Sequence, residues 1–91
     1  MSEPARDKTF YDLADAHIRV ANEQMGQVKL SLASAAMLFA ASRFNAFVIM
    51  AASADKGEML AQKEAAIAYF LNEYEKNLRE NIDEHLARYE D

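Results

Sequence analysis

Cysteine is absent from the 91 residues, so neither a disulfide nor a thiolate–metal site can staple this chain. Proline occurs once, at Pro4, and glycine twice, at Gly26 and Gly57, which leaves long stretches without a helix breaker. Alternating β-branched runs bounded by turns are missing too, and with them the signal for strands. Basic residues are the minority, ten against fifteen acidic ones, for a net charge of −5. Nucleic-acid binding usually needs a basic stripe to displace counterions, and anionic membrane surfaces select the same sign of charge, so both partners are disfavoured. The chain carries no Gly-rich phosphate loop, nucleophile elbow or zinc-ligand spacing. No cofactor, metal or catalytic residue is therefore expected. The first eight residues are polar and mixed in charge rather than a signal peptide, so the expected location is cytoplasmic.

What remains is rich in Ala, Leu, Glu, Met, Gln and Lys, which are good helix formers. Hydrophobic residues make up 52%, too many for a disordered chain. The expected fold is all-α: a three-helix antiparallel bundle with a long C-terminal helix. Residues 1–8 read as a flexible N-terminal tail and residues 9–91 as a single helical domain. Thr9 and Asp12 match a capping box at the first helix start. That helix then carries Phe10, Leu13, Ala14, His17, Ile18, Ala21 and Met25 at helical spacing, and Gly26 can end it in the left-handed conformation. Ser31 or Ser34 can cap the second helix, which runs to about Ser53. Around the third helix start Asp55 can cap, Gly57 can turn and Glu58 suits the first helical turn. The helix continues to about Tyr89 with Ile67, Phe70, Leu71, Tyr74, Leu78, Ile82, Leu86 and Tyr89 as its apolar positions. Asn72, Asn77 and Asn81 would allow a bend that folds its end back.

The second helix is the unusual part. Between Ala33 and Ala52 the only ionisable side chain is Arg43. The run is long enough to raise the question of a membrane span. Ser42, Arg43 and Asn45 at its centre argue against one, as does the lack of flanking aromatic or basic anchors. A helix apolar on every side must be buried on every side, and 91 residues cannot surround it. The surplus length of the third helix points the same way, because Leu78, Ile82, Leu86 and Tyr89 would stand exposed on a lone subunit. The bundle is therefore expected to be completed by dimerisation, with the chain itself as partner and another protein as a further candidate.

Arg43 cannot shed its charge, so burial would require a carboxylate or an anionic ligand. Glu23, Glu64 and Glu73 are the candidate internal partners, and an internal ion pair is the favoured reading. The competing reading makes Arg43, Asn45 and His17 a binding site for a small acidic ligand between helices. Asn45 could equally set the register of a helix pair. His17 reads as a packed core residue and His85 as solvated or interfacial. Neither histidine has the Glu-x-x-His pattern of a carboxylate-bridged metal bundle, because Ala14 and Ile82 stand three residues before them. The four tyrosines suit an interface rim, and the methionines suit irregular gaps in the core.

Three segments together carry a resemblance: Phe10 to Gln24, Ala41-Ser42-Arg43-Phe44-Asn45-Ala46-Phe47, and Tyr74 to Glu84. They are similar to a family of small uncharacterised bacterial proteins known only as a domain of unknown function. The resemblance covers roughly Lys8 to Tyr89 and implies no substrate, cofactor or catalytic residue. The functional expectation is a non-enzymatic, homo-oligomeric helical protein acting as an interaction or regulatory module. The alternative is a binder, or a minimal enzyme, of a small acidic ligand.

Overall fold

A computed structural model describes residues 4–89 and is all-helical, with three helices and no strand among those residues. The helices are α1 (Lys8–Met25), α2 (Leu30–Ala52) and α3 (Lys56–Ala87), of 18, 23 and 32 residues. At the rise of an α-helix they span about 27, 35 and 48 Å. The chain divides into two compact units, Met1–Asn45 and Ala46–Asp91, and the boundary falls inside α2.

In the first unit α1 begins earlier than the capping box predicts. Asp7 is the N-cap, and its Oδ1 accepts the backbone N–H of Phe10 at 3.0 Å. Aspartate caps a helix better than threonine, so the start moves two residues upstream of Thr9. Lys8 is then helical and pairs with Asp12 at 2.7 Å, while the Arg6 guanidinium lies 5.8 Å from the centre of the Phe10 ring. The tail expected over residues 1–8 is thus shorter, and what remains of that expectation at residues 1–3 lies outside the described residues. Lys8, Asp12, Asp15, Arg19 and Glu23 line one side of α1 at spacings of three and four. The half-buried Phe10, Ala14 and Ala21 line the opposite side.

Gly26 ends α1, as its lack of a side chain suggests, but with φ −77° rather than a positive value. Its N–H reaches back to Glu23 O at 3.3 Å, a tightened last turn that any residue can adopt. Leu30 opens α2, so Ser31 and Ser34 fall inside the helix instead of capping it. The carbonyl of Lys29 accepts from Leu32 and Ala33, and this closes the first turn without a side-chain cap. Ala33 is the one buried residue among those described, at 3% exposure.

The second unit joins the end of α2 to α3. Asp55 caps α3 as expected: its Oδ1 accepts from Glu58 N at 2.8 Å, while Glu58 Oε2 accepts from Ala54 N at 3.0 Å. This reciprocal exchange satisfies two backbone donors at the helix start. Gly57 lies inside the first helical turn, so the turn expected there is made by the residues before it. The bend drawn from Asn72, Asn77 and Asn81 does not occur. Asn81 Nδ2 donates to Asn77 O at 2.8 Å within its own helix, and α3 continues unbroken to Ala87. Met59, Ala66, Phe70, Glu73 and Asn77 form its half-buried stripe, at spacings of seven, four, three and four residues.

Candidate functional site

The three predicted ligand-binding residues, His17, Arg43 and Asn45, all belong to the first unit. His17 lies on α1 near the half-buried stripe, yet it is exposed rather than packed in a core. An aromatic residue needs large neighbours to cover it, and Ala14 and Ala21 flank it with small ones. Arg43 is exposed on α2, whereas Asn45, two residues on and about 200° around the helix, is half-buried.

Among the described residues of its unit no carboxylate pairs with Arg43, Glu23 included. Glu73 instead meets Lys76 of its own helix at 3.5 Å. An exposed guanidinium keeps its hydration, so no internal counter-charge is required. Among the described residues no cluster of three or more His, Asp or Glu side chains could hold a metal ion.

The larger feature is apolar surface. Leu30, Leu32, Leu38, Phe39, Phe44, Phe47 and Met50 of α2 are all more than half exposed. They are not gathered on one side: Leu30 and Phe39, nine residues apart, project in opposite directions. Met25, Met37 and Met50 are exposed as well, so they do not fill core gaps within this chain. Ser42 Oγ donates to Phe39 O at 2.7 Å, and Ser53 Oγ to Ile49 O at 2.8 Å. Both hydroxyls are satisfied by their own helix, so Ser42 adds little polarity to it. By length and composition α2 could cross a membrane.

On α3 an open groove of about 360 Å³ is lined by Leu78, Asn81, Ile82, His85, Leu86 and Tyr89. All six belong to one stretch of chain, so the groove is the space between side chains on a single helical face. His85 Nδ1 lies 2.8 Å from Asn81 O, which fixes the ring along the rim. The leucine, isoleucine and tyrosine positions were legible as an exposed stripe. Asn81 and His85 were not, because their part in the groove follows from their spacing to Leu78 and not from their polarity.

No curated protein and no solved structure matches this chain. A family model does match, over residues 10–86, and its description is "Protein of unknown function (DUF3144)". The match covers most of the chain, from the first turn of α1 to the last turn of α3, and on it the chain belongs to the DUF3144 family.

Proposed function

We propose that this protein is a non-enzymatic helical interaction or regulatory module that works as a homo-oligomer, most simply a dimer. In this reading the helices form an antiparallel bundle completed by a second copy, in the cytoplasm. The observation that supports it is α2, whose large apolar side chains stand more than half exposed on opposite faces. Fully burying such a side chain is worth about 1.5–3 kcal/mol, so covering seven of them would contribute on the order of 10 kcal/mol. That equals the net stability of a typical domain, and a single copy forgoes it.

Size-exclusion chromatography with light scattering at micromolar concentration tests the proposal. A mass of two or more chains is expected, and a stable folded monomer would overturn it. Recovery of the native chain only in a carbonate-resistant membrane fraction would also overturn it, in favour of α2 as a span.

A second reading has one observation in its favour. Arg43 is an exposed cation in an apolar helix without a carboxylate partner among the described residues of its unit, as an anchor for a small acidic ligand would be. Titration with inorganic phosphate and succinate, followed by NMR at Arg43, Asn45 and His17, tests it. Saturable shifts at all three are expected on this reading, and unchanged spectra at millimolar ligand would dismiss it.

A further inference from the structure

We infer that α3 pairs with α3 of a second copy in antiparallel orientation. Leu60 would lie opposite Tyr89, Ile67 opposite Ile82 and Leu71 opposite Leu78. The inference rests on the self-association proposed above and adds which helix meets which, and in what register.

Six of the eight large exposed apolar side chains of α3 and its C-terminal end lie in one line, with Tyr74 and Leu86 at its two margins. Leu60, Ile67, Leu71, Leu78, Ile82 and Tyr89 are 42–80% exposed. Turning about 100° per residue, the five within the helix project within about 60° of arc, and Tyr89 follows two residues past its end. The half-buried stripe through Phe70 and Asn77 lies roughly a third of a turn away. One face of α3 is therefore half-buried and a separate face is left exposed.

The spacing along the uncovered face is seven, four, seven, four and seven residues. Two properties follow. Seven plus four is an eleven-residue repeat, which keeps an apolar line nearly straight along a helix. The series also reads the same in both directions about a midpoint between Tyr74 and Glu75. A face of that kind matches itself when a second copy is rotated by two-fold symmetry: each of the six meets another, Leu86 meets the aliphatic stem of Lys63, and Tyr74 stands beside the axis.

The groove on α3 fits the same pairing. Leu78, Asn81, Ile82 and His85 stand at i, i+3, i+4 and i+7, the four corners of the hole that receives one side chain from a facing helix. In the antiparallel register that side chain is Ile67 of the second copy. Covering the exposed parts of six large side chains on each chain removes on the order of 1,000 Å² from water, near the lower bound for a specific interface.

Charge selects the orientation. Residues 73–84 carry five acidic side chains (Glu73, Glu75, Glu80, Asp83 and Glu84) against Lys76 and Arg79. Residues 56–68 are balanced, with Lys56 and Lys63 against Glu58 and Glu64. Parallel pairing would align the two acidic halves and the two helix dipoles, whereas in the antiparallel register residues 77–84 lie opposite residues 65–72, which carry no charge. Glu75 and Arg79, already 3.7 Å apart in one chain, would flank the two-fold axis and alternate there with Arg79 and Glu75 of the second copy.

The natural lack of cysteine makes the test direct, because any introduced thiol is the only one present. Tyr74→Cys and Glu75→Cys, each in the full-length chain, place a thiol beside the axis, where its own counterpart is displaced along the helix by about 1.5 Å. Ile67→Cys and Ile82→Cys place it where the counterpart is displaced by about 22 Å. Under mild oxidation the first two variants are expected to form the majority of their chains into covalent dimers. Ile67→Cys and Ile82→Cys should do so only when mixed with each other. Glu75→Cys changes an exposed polar position, so the result does not depend on variants that disturb the fold. Covalent dimers from all four variants alone would mean parallel pairing and overturn the inference. Association by light scattering with no cross-link at any of these sites would overturn the α3 seam and leave self-association standing. A monomer by light scattering would remove both.

Discussion

Helices α1 and α2 are built from similar numbers of residues and solve opposite problems. The first has a wet side, where Lys8, Asp12, Asp15, Arg19 and Glu23 follow one another, and a drier side with Phe10, Ala14 and Ala21 half-buried. Such a helix needs one neighbour. The second has a single charged residue, Arg43, and large apolar side chains in every direction. Such a helix needs cover all round, and the described residues bury only Ala33 of it. The difference teaches that helix-forming residues alone do not complete this fold. What distinguishes the two helices is how many faces must be kept from water.

That contrast breaks most sharply at Phe39. Replacing Phe39 with Asp puts a charge on an exposed apolar face of α2 and is expected to dissociate the proposed dimer, as light scattering would show. Ala16→Glu, on the charged side of α1, should leave the mass unchanged and stability within about 0.5 kcal/mol. If both variants behave alike, the distinction between the helices fails. A smaller effect is expected at Ala33. Ala33→Leu forces a larger side chain into the buried position and should cost about 1–3 kcal/mol in urea unfolding. The same change at Ala41, an exposed position on the same helix, should cost far less.

Next come the caps. Asp55→Ala and Asp7→Ala should each lower stability by about 1 kcal/mol in thermal or urea melts, because each removes an acceptor for a backbone donor. Thr9→Ala should have little effect, since Thr9 is inside the helix. A larger loss at Thr9 than at Asp7 would restore the later start. The smallest effect is expected for Arg88→Gln. It removes the exposed pair with Glu84 at 2.8 Å and should shift the melting temperature by less than the spread between replicate melts.

Much of this was legible without coordinates. Gly26 and Asp55 mark the two breaks, and the order and length of the helices follow from them. The exposed line through Leu78, Ile82 and Tyr89 could be read from spacing alone. The start of α1 could not, because Asp7 and Thr9 can both cap and only the competition between them decides. His17 and Arg43 were misplaced for another reason. An apolar stretch of sequence suggests a buried environment, but burial depends on neighbours from elsewhere in the chain. On α1 those near His17 are small, and around Arg43 no counter-charge is supplied among the described residues of its unit.

Local interactions act over one or two turns, so the amino-acid order alone settled that there are three helices, where they break, and that the middle one is apolar on every side. Which faces are covered is a question of contacts across space. Tertiary structure therefore decided that α3 continues unbroken past its asparagines, and that its half-buried and uncovered stripes are separate faces. It also left Arg43 exposed on the single chain. A periodic sequence specifies the faces of a helix, and only packing assigns each face its neighbour.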